Sequence, residues 1–234
     1  MQLFCIPYAG GNAYAYLGLT KHTDDFIQVI PLESPGRGRR GQEPLLETIA
    51  ALTDDLVSLI RSQVHGPFAL FGHSLGAYLA NLISRRLMDE YHLPPCHLFV
   101  SGAAGPTRLK PANLIHQLPK ADFLAEVGKY GGIPKAILAH QELIDYFEPI
   151  LRADFKAIET DHYPAPPPMD LGITAMTGSL DTIVTLELIR LWQAETRRPL
   201  VIESLPGDHF FIFEQWPRIG EILSHTLRPC CRPS

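Results

Sequence analysis

A serine in this chain lies in a pattern that suits nucleophilic catalysis. Ser74 is the centre of the pentapeptide Gly72-His73-Ser74-Leu75-Gly76. An apolar run precedes the pentapeptide and a helix-like run follows it, which predicts a sharp strand-to-helix turn that exposes the serine oxygen. The two glycines remove side chains at the point where strand and helix cross. The pattern therefore indicates a hydrolase with a serine nucleophile, and the structural alternative is an ordinary turn with a small polar residue.

The candidate base for this serine is His209. A serine hydroxyl is a weak nucleophile at neutral pH and needs a base, which in turn needs an orienting carboxylate. His209 ends the segment Leu205-Pro206-Gly207-Asp208-His209, a glycine-containing loop that follows the last predicted strand. A loop at the end of a strand suits a histidine that must reach across to the serine. The alternative for His209 is a purely structural histidine.

The candidate acid is Asp181, and Asp208 is the rejected competitor. Asp181 follows the predicted strand Ile173–Thr177, one strand before the histidine loop. This gives the order serine, aspartate, histidine along the chain. Asp208 adjoins His209, and adjacent side chains diverge, so Asp208 is badly placed to hold the ring. The alternative for Asp181 is an aspartate that caps a turn.

Two backbone N–H groups are the candidate oxyanion donors. One belongs to Leu75, directly after the serine. The other belongs to Ala9, in the glycine-rich stretch Pro7-Tyr8-Ala9-Gly10-Gly11 after the first predicted strand. A nucleotide-binding glycine loop is the alternative for this stretch, but neither of the usual phosphate-binding glycine patterns follows the strand.

Apolar runs alternate with segments of helical periodicity, which predicts a mostly parallel sheet covered by helices on both faces. The predicted strands are Leu3–Pro7, Phe26–Leu32, Phe68–Phe71, His97–Ser101, Ile173–Thr177 and Leu200–Ser204. The predicted helices are Thr48–Gln63, Gly76–Tyr91, Leu186–Glu195 and Phe213–Leu227. We expect a single α/β domain over residues 1–234.

The stretch from Gly105 to about Asp170 interrupts this alternation with helical pieces. We expect helices at Ala121–Lys129, Gln141–Tyr146 and Glu148–Ile158, the last restarting at Pro149. An insertion of this length is too long for a plain crossover, so we expect a helical lid at residues 107–162. The alternative is a helical subdomain that serves oligomerisation. Three phenylalanines either line a channel there or form its core: Phe123, Phe147 and Phe155.

Composition excludes several classes of protein. The formal net charge is −5 and there is no dense basic tract, so nucleic-acid binding is not expected. No apolar run reaches the length of a membrane span, and the N-terminus does not resemble a signal peptide, so we expect a cytoplasmic protein. The four cysteines, Cys5, Cys96, Cys230 and Cys231, lack the spacing of a metal site. We therefore expect no metal and no cofactor.

The chain resembles the type II thioesterases of nonribosomal peptide and polyketide synthesis, a branch of the α/β-hydrolases. The motifs that carry the resemblance cover nearly the whole chain and come in the family's order. They are Leu3–Gly11, Pro35–Arg39, Gly72–Gly76, Ser101-Gly102, Gly131–Pro134, Leu151–Asp154, Gly178 with Asp181, and Gly207–Phe211. Two features depart from the family: many relatives have a longer N-terminal segment, and a charged residue commonly stands where this chain has Leu180.

The resemblance implies an α/β-hydrolase fold with a Ser74–His209–Asp181 triad, oxyanion amides at Ala9 and Leu75, and a mobile lid over an acyl channel. It implies an enzyme that acts in trans and hydrolyses acyl groups from the phosphopantetheine arm of a carrier protein. We expect a monomer whose carrier partner meets a local basic or apolar patch at the channel mouth. The candidate basic residues are Arg37, Arg39, Arg40 and Lys110. For Arg37 and Arg39, contact with a phosphate and pinning of their own loop both remain open.

Four alternative functions remain open at this stage. The first is release of medium-chain fatty acids from a fatty acid synthase. The second is hydrolysis of small oxygen esters, as in a carboxylesterase or lipase. The third is acyl transfer, in which an amine or alcohol takes the acyl group instead of water. A non-enzymatic carrier-binding scaffold with a vestigial triad is the fourth.

Overall fold

The computed structural model describes residues 1–106, 114–131 and 140–231. Its strands are β1 (Gln2–Ile6), β2 (Gln28–Pro31), β3 (Phe68–His73), β4 (Leu98–Ser101), β5 (Ile173–Gly178) and β6 (Val201–Leu205). They form one sheet in the order β2-β1-β3-β4-β5-β6, and every neighbouring pair is parallel. The predicted parallel sheet is confirmed, and each strand end differs from its predicted position by at most two residues.

Helices connect the strands. The described helices are α1 (Ile49–Gln63), α2 (Leu75–Asp89), α3 (Lys120–Gly128), α4 (Gln141–Glu159), α5 (Leu186–Arg190) and α6 (Trp216–Leu227). Helix α1 begins after Thr48, whose side chain accepts a hydrogen bond from the N–H of Ala51 at 3.2 Å. Such a cap satisfies one of the free N–H groups of the first turn and fixes where the helix begins.

The four inner strands, β1, β3, β4 and β5, are buried on both faces, which explains why they are largely apolar runs. In β1, Phe4 and Ile6 belong to the core on the side of α1 and α2. Leu3 and Cys5, which point the other way, belong to the core on the side of α6. Successive residues of a strand face opposite sides of the sheet, so a strand buried on both sides has no polar face.

Three predicted helix limits are wrong. Helix α4 is a single helix of 19 residues that passes through Pro149, where the sequence predicts a break. A proline inside a helix costs about 3 kcal/mol, and burial of the apolar face beyond Pro149 offsets that cost. The predicted helix Phe213–Leu227 begins only at Trp216, after a 3-10 turn at Phe211–Phe213. The predicted helix Leu186–Glu195 is α5 followed by a 3-10 turn at Leu191–Glu195.

The described part of the insertion has a small apolar core of its own. Phe123 of α3 is fully buried, and its ring meets that of Phe155 of α4 edge-on with centroids 5.8 Å apart. Val127 and Leu151 complete the cluster. These two phenylalanines therefore form core contacts within the insertion. Residues 107–113, with Lys110, and residues 132–139, with part of the Gly131–Pro134 motif, lie outside the described residues.

Candidate active site

Every candidate catalytic residue lies just beyond the carboxyl end of a strand. Ala9 follows β1, Ser74 follows β3, Asp181 follows β5 and His209 follows β6. Because the strands are parallel, their carboxyl ends share one edge of the sheet. Open sheets of this class bind their ligands at that edge. The topology thus gathers four segments that are far apart in sequence.

The turn between β3 and α2 holds Ser74 in a strained backbone conformation. Its φ is 53° and its ψ is −119°, a region that non-glycine residues rarely adopt. The Ser74 N–H donates to the Ser101 carbonyl oxygen at 2.8 Å, which anchors the turn. A Cβ on Gly72 would lie 2.1 Å from the carbonyl oxygen of Gly76, so only glycine fits this crossing. The predicted sharp turn is therefore present.

Ser74, His209 and Asp181 form a continuous chain of contacts. The Nε2 atom of His209 lies 3.4 Å from Ser74 Oγ, and its Nδ1 atom lies 2.8 Å from Asp181 Oδ2. His209 is almost completely buried and Ser74 is partly exposed. The serine contact is longer than an ideal hydrogen bond, as is common without substrate. The arrangement allows the ring to take a proton from the serine while the carboxylate holds its other nitrogen.

Asp181 is held rigidly by the backbone that follows it. Its Oδ1 atom accepts hydrogen bonds from the N–H groups of Ile183 at 2.8 Å and Val184 at 2.9 Å. Burial raises the pKa of Asp181, but the hydrogen bonds from His209 and from these two N–H groups outweigh burial and lower it overall. The side chain is therefore a carboxylate at neutral pH. Asp208 is exposed and instead accepts from the N–H of Phe210 at 2.9 Å, which agrees with its rejection.

The two candidate oxyanion amides lie on segments that touch. A Cβ on Gly76 would lie 2.1 Å from the carbonyl oxygen of Ile6 and 2.7 Å from that of Pro7, so the start of α2 packs directly on the end of β1. Within the described residues, neither the Ala9 N–H nor the Leu75 N–H donates a hydrogen bond. Among the described residues, both N–H groups are therefore free to donate.

The chain also matches a known protein family. The family model of the thioesterase domain matches residues 1–227. The chain belongs to the thioesterase family. It is an enzyme, a hydrolase that acts on thioesters.

Three relatives of this thioesterase bear on its pathway. The gramicidin S biosynthesis protein GrsT of Aneurinibacillus migulanus is 33% identical over 233 residues, which cover 100% of this chain and 91% of that protein. The human medium-chain S-acyl fatty acid synthase thioesterase is 32% identical over 242 residues, which cover 100% of this chain and 88% of that protein. The structure of ClbQ from the colibactin NRPS/PKS pathway has a TM-score of 0.92 and 31% identity, and the match covers 97% of each chain.

The residue before Ser74, His73, lies against the candidate catalytic residues of the thioesterase, although its sequence position alone indicates no role. It is fully buried, and its Nδ1 atom lies 3.0 Å from Ser101 Oγ. Its ring centroid is 5.2 Å from that of His209. Burial, and after it the charge that His209 would carry, lower the pKa of His73 well below the usual value of a histidine. A neutral His73 therefore adds no positive charge beside the base.

Aromatic side chains surround His209. Tyr130 at the end of α3 lies with its ring centroid 6.1 Å from that of His209. On the other side, the Phe210 ring meets Tyr8 edge-on and stacks on Phe213, which is 45% exposed. Burial raises the pKa of Tyr8 to about 12, so its phenol stays neutral. Aromatic rings from two segments, at Tyr130 and at Phe210, thus lie next to His209.

The predicted basic patch of the thioesterase is wrong for two of its members. Arg37 is 3% exposed and forms a bidentate ion pair with Asp154, at 2.6 and 2.8 Å. Arg40 pairs with Glu43 and Asp55, so its charge is compensated. The side chain of Arg39 is 75% exposed, 3.6 Å from Glu33. Since Arg37 is buried and paired, it pins its own loop, and contact with a phosphate is contradicted.

The described residues contain no group of three or more His, Cys, Asp or Glu side chains that could hold a metal ion. Among the same residues, no helix combines the length and the apolar character needed to cross a membrane.

Proposed function

We propose that this thioesterase acts in trans on acyl groups attached to the phosphopantetheine arm of a carrier protein in nonribosomal peptide or polyketide synthesis. The observation that carries the proposal is the likeness to ClbQ over 97% of both chains. Supporting it, GrsT of gramicidin S biosynthesis matches this chain over 91% of its own length. Both relatives are therefore proteins of about this size that belong to such pathways.

In the proposed acylation step, Ser74 Oγ attacks the thioester carbonyl carbon while His209 Nε2 takes the hydroxyl proton. Asp181 holds the proton of the ring on Nδ1 and stabilises the imidazolium that forms. The N–H groups of Ala9 and Leu75 donate to the developing oxyanion. The C–S bond then breaks. Because a free thiol has a pKa of about 8.5, the thiolate leaves readily, and the proton that His209 took from Ser74 passes to the departing sulfur.

In the proposed deacylation step, water takes the place of the thiol. His209 removes a proton from the water, whose oxygen attacks the acyl-enzyme carbonyl. The oxyanion donors act again, and the proton passes to Ser74 Oγ as the ester bond breaks. The products are a carboxylic acid and the free enzyme.

We further propose that residues 107–162 form a lid over an acyl channel within a single domain of residues 1–234. Tyr130 of this insertion supports the proposal because its ring lies beside that of His209. A lid at this place separates the acyl-enzyme from bulk water until the thiol has left. We also propose a cytoplasmic monomer, and light scattering of the purified protein tests the monomer.

The test of this function is a hydrolysis panel in which each acyl group is presented twice, on a carrier protein and on a small thiol. We expect kcat/KM to be higher for the carrier-bound form, with a carboxylic acid as the product in mass spectrometry. The Ser74→Ala variant is the blank, and its rate should fall by several orders of magnitude. A preference for oxygen esters with indifference to the carrier would refute the proposal, and an amide or ester product would indicate acyl transfer.

One observation favours a second candidate function. The human medium-chain fatty acid synthase thioesterase is 32% identical to this chain over the full length of this chain and 88% of its own. Release of medium-chain fatty acids is therefore the alternative. The same panel separates the two functions, because a fatty acid synthase thioesterase should show a sharp optimum at medium-length saturated chains.

A further inference from the structure

We propose that Asp154 and its partner Arg37 are positioning residues that lock the oxyanion loop, residues 8–13, in its active conformation. The inference rests on the proposed role of the Ala9 N–H as an oxyanion donor. Asp154 lies on α4 of the insertion, 144 residues from the loop that it contacts. The insertion would then take part in building the oxyanion site as well as covering it.

The oxyanion loop contains a tight turn whose geometry decides where the Ala9 N–H points. The Gly11 N–H donates to the Tyr8 carbonyl oxygen at 2.8 Å, and Gly10 has a φ of +75°. These are the marks of a type II turn with Ala9 and Gly10 at its centre. The Tyr8 carbonyl and the Ala9 N–H belong to one trans peptide and point in opposite directions. The turn therefore directs the Ala9 N–H away from Gly11.

Asp154 binds the one peptide group on which this turn type depends. Its Oδ2 atom accepts a hydrogen bond from the Gly10 N–H at 2.7 Å. That N–H belongs to the peptide between Ala9 and Gly10, and reversal of this central peptide is what distinguishes type I from type II turns. While Asp154 holds the Gly10 N–H, it opposes reversal of the central peptide. Because the Ala9 N–H belongs to the preceding peptide, Asp154 acts on it by anchoring the whole turn to α4. A carboxylate that accepts from a backbone N–H forms one of the stronger hydrogen bonds.

Arg37 in turn fixes the carboxylate. Its Nη1 and Nη2 atoms donate to the two oxygens of Asp154 at 2.6 and 2.8 Å, and Nη1 also lies 3.3 Å from the Gly11 carbonyl oxygen. Asp154 is 1% exposed. Burial lowers the pKa of Arg37, but the Asp154 carboxylate outweighs burial and raises it overall. The guanidinium therefore stays charged and holds the carboxylate in one orientation.

Two further contacts tighten the loop. A Cβ on Gly10 would lie 2.5 Å from Leu151 Cδ2, so α4 packs on the turn without room for another atom. At the far end of the loop, the buried Glu33 accepts hydrogen bonds from the N–H of Ala13 at 3.2 Å and of Arg39 at 2.8 Å. The loop is thus held by carboxylates from two other segments of the chain.

Stability alone does not account for the buried pair. Apolar residues of similar volume often stabilise a fold as well as a buried ion pair does. The Nε atom of Arg37 is moreover buried without a hydrogen-bond partner among the described residues. A pair that leaves one donor unsatisfied is better explained by the geometry that it imposes on the Gly10 N–H.

The test compares two double variants that both lack the charges and differ in one respect. Arg37→Met with Asp154→Asn keeps an oxygen that accepts from the Gly10 N–H. Arg37→Met with Asp154→Leu keeps the branched shape and the number of heavy atoms but offers no acceptor. The substrate is a short acyl group on a small thiol, which yields kcat and KM. The second readout is the inhibition constant of a trifluoromethyl ketone, whose oxygen occupies the oxyanion site once Ser74 has added to the carbonyl.

We expect the leucine double variant to lose about tenfold to a hundredfold in kcat relative to the asparagine double variant, with KM nearly unchanged. The inhibition constant of the ketone should rise by the same factor, because its bound oxygen needs the same oxyanion N–H donors. A purely structural role would lower the melting temperature without this parallel loss. Equal kcat and equal ketone affinity in the two double variants would overturn the proposal.

Two control variants exclude general effects of helix packing and charge burial. Lys156→Met removes an ion pair between α4 and Glu47 and should leave kcat and ketone affinity unchanged. Glu195→Gln breaks another buried ion pair, with Arg85 at 2.6 Å, and should lower the melting temperature without affecting ketone affinity. If the ketone fails to inhibit the wild-type enzyme, the proposed role of Ser74 falls, and this inference falls with it. If it inhibits the wild type but does not distinguish the double variants, this inference alone fails.

Discussion

The substitution Asp181→Asn tests the proposed acid because the structure dictates how the new amide must lie. The two oxygens of Asp181 have different partners: Oδ1 accepts from Ile183 and Val184, and Oδ2 accepts from His209 Nδ1. An asparagine can meet only one of these demands with its single oxygen. Turning its NH₂ group toward the two N–H groups would leave both without an acceptor, at about 1–3 kcal/mol each. The amide oxygen therefore stays with them and the NH₂ group faces His209.

This orientation changes the tautomer of the base. A donor beside Nδ1 requires an unprotonated Nδ1, so the ring proton moves to Nε2. That proton then points at Ser74 Oγ, 3.4 Å away, and the ring can no longer take the hydroxyl proton. In serine hydrolases the wrong tautomer lowers kcat about 10⁴-fold, which corresponds to roughly 5.5 kcal/mol of activation free energy. KM and the melting temperature should change little, since the shape of the side chain is kept.

The assay follows thiol release from a small acyl thioester, with labelling of Ser74 by a fluorophosphonate as a second measure of its nucleophilicity. Asp208→Asn is the matched control, because Asp208 adjoins His209 and its substitute can still accept from the Phe210 N–H. We expect the control to stay within about twofold of the wild type, since surface substitutions of this kind are nearly neutral. If the Asp181→Asn enzyme kept more than a tenth of the wild-type kcat, the proposed role of Asp181 as the acid that orients His209 would be refuted. A large loss of kcat in Asp208→Asn would assign that role to Asp208.

Two further predictions concern the strand–helix crossing at Ser74 and a half-buried histidine, His97. In Gly76→Ala, the new Cβ would lie 2.1 Å from the Ile6 carbonyl oxygen, so α2 must move by about 1 Å, and kcat should fall roughly 100-fold. Gly128→Ala is the control, because a Cβ at that position meets nothing within 4 Å. A wild-type kcat in Gly76→Ala, or a lowered kcat in Gly128→Ala, would contradict the argument. Burial, and then the nearby Arg198, lower the pKa of His97 to about 4. Between about pH 6.5 and pH 4, His97 is protonated in the unfolded chain but neutral in the folded protein. The free energy of unfolding should therefore decrease as the pH falls through this range, by at most about 1.4 kcal/mol per pH unit. Denaturant titrations at pH 7.5 and 5.0 should show a smaller loss for His97→Gln than for the wild type, and equal losses would contradict the pKa assignment.

The sequence predicts the sheet well because the signal for it is local. Each of the four inner strands is a largely apolar run buried on both faces, so the run itself is the evidence, as in Phe68–His73. The candidate catalytic residues were found for a related reason. Each follows the carboxyl end of a strand, and because the strands are parallel, these ends share one edge of the sheet. Their roles stay predictions until the variants above are measured.

The errors arise where distant contacts decide the structure. Pro149 should break a helix on local grounds, but α4 continues because Ile150, Leu151 and Ala157 bury its apolar face. Arg37 lies among other arginines in the sequence, which suggests a basic patch. Its partner Asp154 is far away along the chain and reaches it only in the folded protein. The Leu151–Asp154 motif was recognisable as a family motif, yet nothing in the sequence connects it to Gly10. A contact across 144 residues has no local signal.

The contact between α4 and the oxyanion loop limits how the proposed lid can open. Asp154 lies in the second half of α4 and is tied to Gly10 and Arg37 by hydrogen bonds that are buried or partly buried. A movement that carried this half of the helix outward would break those bonds, expose an unpaired Arg37 and release the turn that directs the Ala9 N–H. Breaking a buried ion pair costs about 3–5 kcal/mol, which would make such an open state rare. Opening that admits substrate must therefore leave the second half of α4 in place and involve parts of the insertion that precede it.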